Sequence, residues 1–243
     1  MINKISQGFV SSLYSFSGLV IAFFIAWIVM FKVDFLYPTF YDLLSIDETI
    51  LEFGPQNYYK KGFELTSKDT HVSLFSDIVT AIHNDGVGLD KISYTYKNTE
   101  NFEVSSTFLH QAEVTHLQDV AYLLNILMKM ALGFFVVWCT LSFGFIYKNK
   151  PLPSFKFQIK SILLFIGYSW LVVLIIGPQK VFYWLHKVIF PAENQWFFYY
   201  QDSLMTTMMK APILFAPISI VLVALAFCVF VLFTGIVKRV ENK

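Results

Sequence analysis

Residues 120–147 read VAYLLNILMKMALGFFVVWCTLSFGFIY, from Val120 to Tyr147, with one charge, Lys129. Crossing the roughly 30 Å hydrocarbon core of a bilayer takes about 20 helical residues, so this run can span. In lipid the backbone must satisfy its own hydrogen bonds, which selects a helix. Three further runs pass the same test: Tyr14 to Val33, Ile162 to Gly177, and Pro212 to Val237. The third is short, and its apolar flanks can extend it. The first is too long for a cleaved leader, and no small-x-small site follows it before Asp34.

Composition agrees. The 243 residues are 56% hydrophobic and 14% charged, with a mean hydropathy of +0.58, against about 25% charged in an ordinary soluble domain. A net charge of +1 argues against a nucleic-acid surface. Cys139 and Cys228 both fall inside apolar runs and read as buried membrane thiols, not as a disulfide framework.

Orientation follows the lysines and arginines of short loops. The segment from Lys148 to Lys160 carries Lys148, Lys150, Lys156 and Lys160 and no acid. The tail carries Lys238, Arg239 and Lys243, and the N-terminus carries Lys4. With four spans these three segments share one side, which predicts both termini in the cytoplasm. The expected fold is a mainly α membrane protein: four transmembrane helices with a small α+β extracytoplasmic domain between the first and second. The expected divisions are 1–34 (N-terminus and first span), 35–119 (extracytoplasmic domain), 120–147, 148–161 (basic loop), 162–177, 178–211 (extracytoplasmic interfacial loop) and 212–243 (fourth span and tail).

Within the long outer segment, Leu74, Phe75, Ile78, Val79 and Ile82 recur at helical spacing. Asp69 or Thr70 is expected to cap that helix, and Asn84-Asp85-Gly86 to end it. Ile92, Tyr94 and Tyr96, then Phe102 and Val104 after a polar turn at 97–101, alternate as in a β-hairpin. Residues 35–59 give no clear period. In the short outer loop, Leu185, Val188, Ile189 and Phe190 suggest an interfacial helix. Trp184, Trp196, Tyr199 and Tyr200 suit the membrane–water boundary.

Candidate chemistry lies at the mouths of these spans. Glu113, His116 and Asp119 recur every third residue, on adjoining ridges of one helical face, just before the second span. His186 lies in the other outer loop, at the same expected depth. Histidine titrates near neutral pH and can move protons in either direction, and Glu113, Asp119 or Asp202 could orient a ring. No serine stands in a nucleophile-elbow motif, so an enzyme here points to acid–base chemistry on a lipid. An interfacial histidine can equally be a polar anchor, the reading given to His71, His83 and His110. Glu-x-x-His-x-x-Asp could also supply metal ligands, although no second motif completes a set. Lys129 could snorkel, line a polar cavity or mark a function.

Two stretches carry a family resemblance. One is Glu113-Val114-Thr115-His116-Leu117-Gln118-Asp119-Val120. The other runs from His186 through Phe190, Trp196 and Phe198 to Asp202-Ser203-Leu204-Met205. In this order and at these positions they resemble the bacterial lipoprotein intramolecular transacylase family. The resemblance implies a membrane acyltransferase, in the bacterial cytoplasmic membrane, that moves the sn-2 acyl chain of a diacylglyceryl-cysteine lipoprotein to its own N-terminal amine. It further implies catalysis by His116 and His186, support from Glu113, Asp119 and Asp202, and substrate contacts from Trp184, Trp196 and Phe190. Its implied partners are a lipoprotein N-terminus and membrane lipid, with no metal or other cofactor. The competing readings are a metal-dependent membrane hydrolase and a non-enzymatic accessory or sensor protein.

Overall fold

A computed structural model describes residues 2–241; Lys243 of the basic tail lies outside the described residues. Among the described residues, four helices are long and apolar enough to cross a membrane. They are α1 (Ile2–Phe31), α5 (Gln111–Tyr147), α6 (Phe155–Ile176) and α9 (Phe215–Glu241). Between α1 and α5 the chain forms α2 (Tyr37–Leu43), α3 (Ile46–Phe53), α4 (Lys68–His83) and strands β1 (Ser93–Lys97) and β2 (Glu103–Thr107). Helices α7 (Pro178–Ile189) and α8 (Leu204–Met208) lie between α6 and α9.

The third span is longer than its apolar run. It begins at Phe155 because Ser154 caps it, its hydroxyl accepting from the Phe157 N–H. Gln158 anchors the same turn by donating to the Pro153 carbonyl at 2.8 Å.

The chain divides into two compact units. One gathers the first helix to Val29, Leu127–Leu185, and the chain from Leu222 onward. Ala22, Ile162 and Phe230 are buried together, drawing α1, α6 and α9 into one core. Tyr14 packs on Trp138 at 5.5 Å and edge-on to Phe145 at 5.9 Å. Gly18 lies against Phe230 and Trp138, where a Cβ would just make van der Waals contact. The outer surface is apolar: Leu163, Leu174, Phe227 and Leu232 are all exposed. In water such a continuous apolar face would drive aggregation, whereas in lipid it is the expected surface. Cys139 and Cys228 belong to this surface, exposed and not buried as expected.

The second unit comprises Met30–Ile126 and His186–Val221, so residues from both polar stretches of the sequence share one core. The chain leaves α1 through Asp34, Phe35 and Leu36, all with left-handed backbone (φ 45°, 53° and 59°). Such runs are costly for non-glycine residues; here Phe35 is buried and Asp34 accepts from the Ser76 hydroxyl at 3.1 Å. The aperiodic stretch 35–59 becomes the two short helices α2 and α3. Tyr37 stacks on Phe75 at 4.0 Å, and its hydroxyl donates to the Met208 carbonyl at 2.9 Å.

The hairpin forms as read, antiparallel, with Tyr94 opposite Ser106 and Tyr96 opposite Val104. Gly62, at φ +76°, is obligatory because a Cβ would overlap the Tyr96 ring. Helix α4 ends at Asn84-Asp85-Gly86 as expected, the Gly86 N–H returning to the Ala81 carbonyl. Its cap is Ser67, and not Asp69 or Thr70, because the Ser67 hydroxyl accepts from the Thr70 N–H.

Candidate functional site

The His116 region is built from the start of α5, the end of α7 and the loop 190–203. The α5 periodicity places Glu113, His116 and Asp119 along one side of the helix. Asp119 accepts from the Asn194 side-chain amide at 2.7 Å, which ties the loop to α5. Glu113 is buried, with 1% exposure. One of its oxygens accepts from the Ser203 hydroxyl at 2.5 Å and from the Met205 N–H at 3.3 Å. The other accepts from the His110 N–H at 2.7 Å. Ser203 is at the same time the cap of α8, accepting from the Thr206 N–H at 2.8 Å. Burying a carboxylate is costly unless hydrogen bonds replace its water, and here three donors do so. Glu113 is therefore a clasp between the two chain segments of this unit.

Aromatic packing brings the histidines together. Phe190, buried, meets the His116 ring at 5.1 Å and the His186 ring at 5.5 Å. The imidazoles are thus no further apart than the sum of those two distances. Trp196 packs on His186 at 4.6 Å. Phe198, buried, lies 6.0 Å from His116 and 5.7 Å from His110. The Nδ1 of His116 is buried and has no hydrogen-bond partner among the described residues. In the tautomer that leaves this nitrogen unprotonated, its lone pair is available as a base.

The other expected site residues are more dispersed. Asp202 accepts from the Tyr199 N–H at 3.3 Å and closes a local turn. Trp184 is 61% exposed on α7, two residues before His186 and so on the opposite side of that helix.

Two residues at the site were not singled out by sequence reasoning. Asn194 has no motif; only its contact with Asp119 marks it. His110, read as a polar anchor, faces the Glu113 carboxylate at 3.7 Å and packs on Tyr59 at 4.7 Å. Its proximity to Glu113 in sequence was the available signal.

Chemically, the arrangement offers two imidazoles flanking one aromatic floor, with a held carboxylate beside the first. It suits the transfer of one proton to a base and the return of another to a leaving group.

The sequence model of one protein family, described as lipoprotein intramolecular transacylase Lit, matches residues 9–212. A search of curated proteins finds no match. Among solved structures, the membrane integral lipoprotein intramolecular transacylase Lit from Bacillus cereus is similar in two crystal structures. The first, a variant with one histidine replaced by arginine, superposes with a TM-score of 0.63 at 14% identity, covering 99% of this chain and 96% of that one. The second gives a TM-score of 0.58 at 14% identity and covers 97% of each. At this identity the structures establish a shared fold.

Proposed function

Because this chain belongs to the lipoprotein intramolecular transacylase family, we propose that His116 and His186 carry the proton transfers of its acyl shift. The protein is a membrane-integral transacylase, an enzyme that acts on lipoproteins. The reaction moves the sn-2 acyl chain of a diacylglyceryl-cysteine to that cysteine's own α-amine, leaving a lyso-form lipoprotein. The amine nitrogen forms a bond to the ester carbonyl carbon and loses a proton. The bond from that carbon to the glycerol oxygen breaks, and this oxygen takes up a proton.

His116 is the base. Its buried, unpartnered Nδ1 is placed to accept the proton from an amine that reaches it. Asp119, held in place by Asn194, favours the imidazolium that forms. His186, on the other side of Phe190, stabilises the oxyanion and protonates the leaving oxygen. Nucleophile and ester belong to one molecule, so holding the headgroup in the reactive geometry supplies much of the acceleration. Phe190 and Trp196 form the apolar wall against which the glyceryl group rests, and Glu113 keeps the two chain segments at their working separation. The lysine-rich segment 148–160 and the basic tail favour cytoplasmic termini, with the histidines at the opposite leaflet surface of the bacterial cytoplasmic membrane.

The convergence of two imidazoles on Phe190 carries this reading. It is tested by mass spectrometry of a reporter lipoprotein's N-terminal peptide made with the wild-type protein, with His116→Ala or with His186→Ala. The wild-type product carries its second acyl chain on nitrogen. Either variant should leave that chain on the glycerol. Full acyl transfer by a folded His186→Ala variant would remove His186 from the mechanism.

A further inference from the structure

The membrane unit contains a second built feature, at the point where α5 ends. The helix stops at Tyr147, and Asn149 adopts a left-handed backbone at φ 48°. The Lys150 N–H returns to the Phe145 carbonyl at 2.9 Å and the Asn149 N–H to the Ile146 carbonyl at 3.0 Å. This paired closure is the Schellman arrangement. It fixes Lys148 and Lys150 on either side of one tight turn. Pro151 and Pro153 stiffen the exit, and the Ser154 cap and the Gln158 bond to Pro153 hold the start of α6. The two lysines therefore stand on a rigid corner, and neither forms an ion pair among the described residues.

Beside this corner lies a groove of about 500 Å³ between α1 and α5, within the size range of small-ligand clefts. Lys148 and Lys150 line it, with Gln7 as a further polar group, while Val10, Leu141 and Phe145 give it an apolar wall. Thr140 is also in the lining, but its hydroxyl already donates to the Val136 carbonyl at 2.8 Å. Gly144 opens the floor: a Cβ placed there would find nothing within 4 Å. The groove thus places two lysines, carried on the backbone of one tight turn, beside an apolar wall at the end of the span. A free anion would use only the first of these features and an acyl chain only the second.

We infer that this groove binds one anionic phospholipid, its phosphate on Lys148 and Lys150 and an acyl chain along Val10, Leu141 and Phe145. The site is separate from the histidines and independent of their proposed roles. The positive-inside tendency accounts for basic loops in general, but it treats all four lysines of 148–160 alike. The groove distinguishes them, because Lys156 and Lys160 do not line it.

The test is native mass spectrometry of the full-length protein released from detergent and titrated with phosphatidylglycerol or phosphatidylcholine. One phosphatidylglycerol should bind about ten-fold or more tightly than phosphatidylcholine, as expected for two lysines near a lipid phosphate. Lys148→Gln/Lys150→Gln should bring the two lipids to equal affinity, whereas Lys156→Gln/Lys160→Gln should leave the preference intact. Gly144→Leu, which changes no charge, should weaken both lipids several-fold by filling the floor. Equal loss in the two lysine pairs would overturn the proposal in favour of general surface charge. Complete displacement of the lipid by millimolar inorganic phosphate would overturn it in favour of a simple anion site.

Discussion

His71 and His116 are both shielded histidines in the same compact unit, yet their rings are treated in opposite ways. The His71 Nδ1 is hydrogen-bonded to the Tyr41 hydroxyl at 2.8 Å and its Nε2 to the Thr66 hydroxyl at 2.7 Å. Phe63 closes over it at 4.8 Å. Both ring nitrogens are satisfied within the protein, so the residue has no capacity left for a substrate. His116 has a comparable aromatic surround in Phe190 and Phe198, but its Nδ1 is left open. A buried polar group without a partner costs roughly 1–3 kcal/mol. A fold that leaves one open beside a second imidazole retains that cost where chemistry is to occur. Burial alone does not separate His71 from His116; the state of their ring nitrogens does.

The largest expected effects come from exchanging the fates of these two residues. His116→Ala should reduce acyl transfer by about 10²–10⁴-fold, the usual worth of a positioned acid or base. Its melting temperature in detergent should fall by less than that of His71→Ala, since the packing lost against Phe190 and Phe198 is offset in part by removal of an unsatisfied nitrogen. His71→Ala should do the reverse. It empties a core site and strips the Tyr41 and Thr66 hydroxyls of a partner, costing about 2–5 kcal/mol by analogy with other large-to-small core changes. The protein that remains folded should transfer acyl chains at close to the wild-type rate. A His71→Ala variant that melts normally but is inactive would erase the distinction between the two histidines.

The closed ring of His71 can also be tested through pH. Burial lowers the His71 pKa to about 4 from its ordinary 6.5, because its surroundings penalise the charged ring. Between these values the unfolded chain binds the proton and the native chain does not, so stability rises with pH across that window. The native state is unaffected by this residue above pH 6.5 and progressively disfavoured as pH falls towards 4, by about 3 kcal/mol in all. Chemical unfolding at pH 7 and at pH 4.5 should therefore show a stability loss that shrinks in His71→Ala. An undiminished loss in the variant would assign the acid sensitivity to other groups.

The contrast also shows where sequence reasoning reached and where it stopped. The spans, the hairpin at 93–107 and the end of α4 were legible because each rests on local periodicity or turn chemistry. The motif from Glu113 to Val120 was legible because its spacing is helical. His71 was read as an anchor because its partners, Tyr41 and Thr66, are fixed only by the folded chain. Glu113 invited the role of orienting its neighbour His116, yet its carboxylate is spent on Ser203, 90 positions away. Residues 35–59 showed no period because α2 and α3 are each about two turns long, too short to display a face repeatedly. The basic segment 148–160 spoke for topology, but the corner that fixes Lys148 and Lys150 depends on the backbone at Asn149, which charge counting does not register.

The smallest expected effect isolates how His116 is held. Asn194 donates to Asp119 across 75 positions of chain. Asn194→Ala removes that donor and leaves Asp119 to water, so the carboxylate loses its fixed place beside His116. An exposed or partly exposed hydrogen bond of this kind contributes about 0.5–1.5 kcal/mol, which corresponds to a rate loss of about 2–12-fold. If the bond serves positioning, the loss should fall mainly in kcat, with KM and melting temperature little changed. Asn194→Asp should be worse, because a like charge then faces Asp119 at hydrogen-bond distance and pushes the two apart. A loss confined to melting temperature would make the link a tether for the 190–203 loop. The support of His116 would then rest on its aromatic surround alone, and the open nitrogen would be held by packing, as the closed ring of His71 is held by hydrogen bonds.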